Sequence, residues 1–143
     1  MSSFKVFEIA GAGMSAESVR LNTVASNLAN ADSVSGDPSQ VYQAKHPVFQ
    51  SVQALGAAAN QMSEQASASV KVLGIVPNTA APEARYDPSN PLANSEGYVY
   101  SSNVNVVEEM TDMISASRSY QNNVEVMNTA RNMMLDTLKL GQS

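Results

Sequence analysis

Met110-Thr-Asp-Met-Ile-Ser-Ala-Ser-Arg-Ser-Tyr-Gln-Asn-Asn-Val-Glu-Val-Met-Asn-Thr-Ala-Arg-Asn-Met-Met134 returns an apolar residue every third or fourth position. Extended to its limit, the row is Met110, Met113, Ser117, Tyr120, Val124, Met127, Arg131, Met134 and Leu138, with Val107, Ile114 and Leu135 beside it. That alternation is the seam of a coiled coil and predicts a helix from Val104 to Leu140. Asn103 or Asn105 can cap its start, and Glu108, Glu109 and Asp112 sit near the positive end of its dipole. Lys139 followed by Gly141 marks its stop. Such a helix is about 55 Å long at 1.5 Å per residue, more than a globule of 143 residues easily covers.

The same period opens the chain. Phe4, Phe7, Gly11, Met14, Ser18, Leu21, Ala25 and Leu28 alternate by three and four, predicting a helix from Phe4 to about Asn30. Gly11, Ser18 and Ala25 are small enough for a partner helix to approach closely, but they bury little. Gly11 and Gly13 each cost about 1 kcal/mol against alanine in a helix interior. The pattern describes a helix that needs a partner.

Between these segments, from Ala31 to Asn103, the period is lost. Asp32-Ser-Val-Ser-Gly-Asp-Pro38 is a breaker cluster. Val41 to Phe49 and Ser69 to Val76 read as short strands that end near prolines, and Tyr98-Val-Tyr100 as a last one. Ser51 to Gln65, rich in alanine and glutamine, fits helix or loop; Pro77 to Gly97 reads as a long loop. The apolar supply of this middle is thin, so a core built from it alone is marginal. The expected architecture is mainly α with a small β-rich middle, divided into 1–30, 31–103 and 104–143. No internal repeat is visible.

Composition narrows the function. The charged fraction is 15%, with Asp and Glu at 13 against Lys and Arg at 8. An acidic chain lacks the cationic face that nucleic acid requires and that anionic membrane surfaces attract. Ser, Asn and Gln supply 41 residues, so the polarity is hydrogen-bonding rather than ionic, as suits a surface that touches other protein. The absence of cysteine excludes a disulfide framework, a thiolate metal site and a cysteine nucleophile. The longest run of small apolar residues, Ala54 to Ala59, is far below the roughly 20 residues of a membrane span, so no membrane insertion is expected. The opening Met-Ser-Ser-Phe-Lys-Val-Phe-Glu8 lacks the apolar core of a cleaved signal peptide.

Candidate chemistry is sparse. Gly11-Ala-Gly-Met-Ser-Ala16, with Asp32 about 20 residues on, superficially matches a dinucleotide fingerprint. That site needs a buried strand on each side, and Ser26 to Gly36 cannot form one. His46 is the only histidine, so no histidine pair can hold a metal; it reads as a surface or edge residue. Glu108 and Glu109 are adjacent, about 100° apart on a helix, and so form no paired acid–base device. They read as dipole compensation on a solvated face. No catalytic residue, metal or cofactor is expected.

Five of the eight methionines lie between Met110 and Met134. Methionine on a helical stripe suits either plain core or an adaptable interface. The neighbouring Ser115, Ser117, Ser119, Gln121, Asn122, Asn123, Asn128 and Asn132 favour the interface, because such groups can be buried once each finds a hydrogen bond. The candidate assembly residues are therefore Phe4, Phe7, Met14, Leu21 and Leu28 against Met110, Met113, Tyr120, Val124, Met127, Met134 and Leu138. Asn27, Asn30, Asn122 and Asn123 would satisfy the polar contacts. On this reading Asn27→Leu disturbs assembly more than folding of the single chain.

Leu21-Asn-Thr-Val-Ala-Ser-Asn-Leu-Ala-Asn-Ala-Asp-Ser33, with Ser26 to Asn30 at its heart, resembles the N-terminal signature of bacterial flagellar rod and hook proteins. Ile9 to Ala16, Tyr42 to Phe49, Asp87 to Val99, and the run from Asn103 through Ile114–Gln121 to Ala130 extend the resemblance over almost the whole chain. It implies a non-enzymatic rod subunit of the flagellar basal body, exported through the flagellar type III apparatus and polymerising in the periplasm. The terminal helices would pair as a coiled coil in the tube wall and transmit motor torque. The implied partners are other rod proteins, further copies of the chain, the export apparatus and the adaptor that joins the rod to the membrane ring. Coupled folding and association would then order the ends. An autonomous helical-hairpin adaptor and a small nucleotide-dependent enzyme are the alternatives.

Overall fold

The computed structural model describes residues 3–53 and 68–141. Helix α1 (Ser3–Ala29) is followed by strands β1 (Val34–Ser35), β2 (Lys45–Gln53), β3 (Ala68–Pro77), β4 (Glu83–Tyr86) and β5 (Tyr98–Ser101), and helix α2 (Val106–Leu140) closes the chain. The strands make two separate antiparallel sheets. One is the β2–β3 hairpin and the other has the order β1-β5-β4. Two long helices around a small antiparallel middle is the expected architecture.

Helix α2 begins at Val106 because Asn105 caps it: the Asn105 carboxamide accepts from the backbone N–H groups of Val107 and Glu108. Asn103, the other candidate cap, does different work. Its Oδ1 accepts from the Ala44 N–H at 2.7 Å, and its Nδ2 donates to the carbonyls of Asn78 and Ala80. It ties the entrance of α2 to the loops on either side of the β2–β3 hairpin. A side chain whose reach exceeds its own helix end can satisfy remote backbone instead of the cap.

The sheets differ from expectation in several places: β1 lies inside the Asp32–Pro38 breaker cluster, and Ser51–Gln53, read as helix or loop, ends β2. Strand β4 lies inside the stretch from Pro77 to Gly97 expected to be loop, where Glu83–Tyr86 pairs with β5. Its alternation, Glu83-Ala-Arg-Tyr86, runs over only four residues, too short to mark a strand alone, and the partner it meets completes the signal. Val41 is buried ahead of the strand that begins at Lys45. The β2–β3 ladder shifts between Val48 and Phe49, whose partners are Gly74 and Val72, leaving Leu73 unpaired as a bulge. Ala54 to Gln65, part of the segment read as helix or loop, lies outside the described residues.

Among the described residues the buried apolar core is Ala10, Ala16, Val24, Val41, Ala44, Val99 and Ala116. Four of these are alanines, so the elements approach closely while removing little apolar area from water. At roughly 25 cal/mol per Å², such a core contributes far less than one built on Leu and Phe. Gly97 closes the tip of the β4–β5 hairpin at φ +82°, with Tyr86 and Pro88 packed over the place a Cβ would occupy.

Candidate assembly interface

Helix α1 is covered on two sides within the chain. The β2–β3 hairpin lies along one, where Ala12, Ala16 and Val19 line a groove with Val70 and Val72, and Thr23 lines another with Ile75. Antiparallel α2 lies along the other through residues seven apart. Val6 shares a groove with Val126, Thr129 and Met133. Gly13 lies under Asn123, so close that a Cβ there would sit 2.7 Å from Asn123 Nδ2. Arg20 Nη2 donates to Asp112 Oδ1 at 2.8 Å, and Asn27 reaches Glu109.

The intrachain seam is therefore Val6, Gly13, Arg20 and Asn27, one residue out of phase with the row Phe7, Met14, Leu21 and Leu28. One residue is about 100° of helix rotation. The residues in the expected row are consequently turned from the centre of that contact to its edge. Phe4, Ser18 and Ala25 are exposed there, and Phe7, Met14, Leu21 and Leu28 are half-buried. Gly11, expected to admit a partner, has open space where its Cβ would be, whereas Gly13 is the close approach. On α2, Met113, Val124, Met127 and Met134 are half-buried, while Met110, Tyr120 and Leu138 are exposed. Asn122 lines the groove beside Val6.

Asn27 is fully buried at the junction of three elements. Its Nδ2 donates to the Lys45 carbonyl and to Glu109 Oε1, each at 2.8 Å. Its Oδ1 accepts from the Lys45 N–H and the Tyr42 hydroxyl, each at 2.9 Å. All four hydrogen-bonding positions of the carboxamide are used. Tyr42 also meets Ser26 Oγ, and Asn30 Nδ2 bonds back to the Ser26 carbonyl within its own helix end. A leucine at 27 would leave buried Glu109 and the part-buried Lys45 backbone and Tyr42 hydroxyl without this partner, so Asn27→Leu strikes the single chain itself. This corrects the expectation that the change acts chiefly on assembly.

Glu109 was expected on a solvated face and is instead 3% exposed. Burial pushes its carboxyl above the ordinary value of 4.5, against the opposing pull of the Asn27 hydrogen bond. Nothing in its local sequence separates it from exposed Glu108; only the arrival of Asn27 from a distant helix end does. Gly11 to Ala16 lies inside α1, its backbone N–H groups spent on helix bonds, and among the described residues no strand precedes it. The dinucleotide reading is thereby overturned. His46 is exposed on β2.

Two family profiles match the chain. One described as "Flagella basal body rod protein" covers residues 7–36, and one described as "Flagellar basal body rod FlgEFG protein C-terminal" covers residues 95–140. Over 142 residues the chain is 50% identical to the flagellar basal-body rod protein FlgC of Salmonella typhimurium and 51% identical to that of Escherichia coli O157:H7. Each alignment spans 99% of this chain and 100% of the relative. The FlgC of Buchnera aphidicola subsp. Schizaphis graminum is 42% identical over 144 residues, with the same coverage. The two profile matches contain Asn27 and Glu109 respectively, the residues that join the helix ends.

Proposed function

Because the chain belongs to the family of FlgC flagellar basal-body rod proteins, with relatives about half identical over their whole length, we propose that it polymerises through the outward stripes of its two terminal helices. It is a structural, non-enzymatic subunit of the basal-body rod. In this reading residues 1–30 and 104–143 are axial helices that pair with those of neighbouring subunits as coiled coils in the rod wall, and 31–103 is the middle region between them. The assembled rod carries motor torque across the periplasm. The partners are other rod proteins, further copies of this chain, the adaptor joining the rod to the membrane ring and, before assembly, the flagellar type III export apparatus. No helix among the described residues is long and apolar enough to cross a membrane.

The observation that supports this reading is the apolar row at the edge of the α1–α2 contact. A helix already covered on two sides still presents Phe4 at 77% exposure, with Phe7, Met14, Leu21 and Leu28 running from it at heptad spacing. Helix α2 adds exposed Met110, Ile114 and Leu138. Contiguous apolar stripes of this kind mark protein–protein contact, and a second heptad row suits a helix packed between two neighbours. Photo-crosslinkers placed at Phe4, Leu21 and Met110 in assembled basal bodies should capture neighbouring rod subunits, while one at Val6 should react within the chain. Assembled rods giving only intrachain products at all four positions would overturn the proposal.

The helical-hairpin reading is favoured by one feature, the α1–α2 pairing inside a single chain through Arg20–Asp112 and Asn27–Glu109. Hydrogen exchange on the purified monomer distinguishes the two. Protection of both helices means that the hairpin precedes assembly; free-peptide exchange over 1–30 and 104–140 means that neighbours supply the order.

A further inference from the structure

Glu109 holds a carboxyl group in an environment ill-suited to a charge. Its Oε1 accepts one hydrogen bond, from Asn27 Nδ2, and its Oε2 is buried with no partner. An ionised carboxylate has about four acceptor sites to satisfy, and burying one that is neither paired nor fully hydrogen-bonded is far more costly than burying the neutral acid.

None of the described basic groups around it forms an ion pair with it. On α1, Arg20 pairs with Asp112 at 2.8 Å and with Glu17 at 3.8 Å. At the head of β2, the Lys45 ammonium lies 5.4 Å over the Tyr42 ring, and His46 is exposed to solvent. On α2 itself, Glu108 and Asp112 are like charges. Among the described residues no lysine, arginine or histidine makes an ion pair with Glu109.

We propose that the junction of α1, β2 and α2 is a proton-linked latch: with Glu109 protonated, Asn27 holds the two helices and the strand together, and loss of that proton loosens α1 from α2. Asn27 makes the junction a single unit, because the carboxamide that meets Glu109 also carries the Lys45 backbone and Tyr42. An ionised Glu109 leaves by moving α2 away from Asn27 toward water.

The direction follows from the burial of the group. Burial and the neighbouring carboxylates of Asp112 and Glu108 raise the folded-state value above 4.5, while Asn27 and His46 oppose the rise. A carboxyl raised on folding contributes stability that is complete below its unfolded value and is lost as pH rises through the folded one. The latch is thus shut at acidic pH and weakened toward neutrality. Loosening would turn the inner stripe of Val6, Gly13 and Arg20 toward neighbouring subunits. That consequence rests on the assembly reading above, whereas the latch is a property of the single chain.

The test uses the full chain. It has no cysteine of its own, so Ser18→Cys and Ser115→Cys, both at exposed positions on the two helices, carry a pair of spin labels. The interhelix distance distribution should be narrow at pH 4.5 and broaden as pH rises, and in Glu109→Gln it should stay narrow throughout. Equal widths in both proteins at every pH would overturn the latch. If Glu109→Gln does not fold, the carboxyl resonance of Glu109 in the unsubstituted chain decides. A midpoint above 4.5 that coincides with the broadening supports the proposal; a midpoint at or below 4.5, or one without broadening, overturns it. All readouts are taken on the monomer, so a failed crosslinking experiment on rods leaves this result independent.

Discussion

Asn27 and Glu109 stand 82 positions apart in the chain and meet through a 2.8 Å hydrogen bond between two buried side chains. Asn27 also carries both backbone polar groups of Lys45, so one carboxamide ties the end of α1, the start of β2 and the start of α2. A core of alanines and valines is too thin to specify that arrangement by shape, and a carboxamide whose four hydrogen-bonding positions are all used can specify it by pairing.

Asn27→Ala should therefore destabilise the isolated chain. The part-buried Tyr42 hydroxyl and Lys45 backbone and the buried Glu109 lose their common partner; a fully buried polar group left unpaired costs roughly 1–3 kcal/mol, and a part-buried one less. Denaturant unfolding of the monomer should show a loss of several kcal/mol. A change under about 0.5 kcal/mol, the usual range for surface substitutions, would show the network to be unimportant to the fold.

The two helical glycines should respond differently to alanine. At Gly11 the Cβ meets open space, so Gly11→Ala should gain most of the roughly 1 kcal/mol of helix propensity. At Gly13 the Cβ presses on Asn123, whose carboxamide must rotate away. Gly13→Ala should gain less or lose, and the deficit should vanish with Asn123→Ala. Equal gains at both glycines in the unsubstituted background would refute the close contact.

Phe4→Asp should leave the monomer's unfolding free energy within about 0.5 kcal/mol, because the ring contributes little at 77% exposure. Incorporation into rods and swimming should fall sharply, since a charge would enter the proposed subunit interface. Normal motility with this substitution would remove Phe4 from that interface.

Gly97→Ala should cost about 1–3 kcal/mol. The positive φ penalises any Cβ by roughly 1–2 kcal/mol, and the added methyl would lie 2.9 Å from Tyr86 Cε2. The loss should appear first in the β4–β5 hairpin, as faster amide exchange at Tyr86 and Tyr98. A neutral result would mean that the turn can flip to another backbone geometry without affecting its sheet.

The two terminal helices were legible in the chain because each sustains an apolar period over many turns, and β2, β3 and β5 because of their β-branched and aromatic residues. Strand β4, Glu-Ala-Arg-Tyr, has one aromatic and no β-branched residue, too little to mark it, and it pairs with β5. Among the candidate assembly residues, the heptad row Phe4 to Leu28 was visible as a row, and Asn27 as an amide within reach of it. Glu109 was not, since its neighbour Glu108 has the same chemistry and remains exposed.

By itself the sequence determined that two amphipathic helices flank a poor β-rich core, because periodicity and composition are local properties. Which face of α1 turns toward α2 was decided only by the tertiary structure. Residues 6, 13, 20 and 27 and residues 7, 14, 21 and 28 repeat with the same period, so a period cannot choose between them. The choice falls to contacts between distant parts of the chain, the fit of Asn123 over Gly13 and the buried bond from Asn27 to Glu109. It leaves the larger side chains of the other row half-buried at the edge of the contact, where the proposed assembly would cover them.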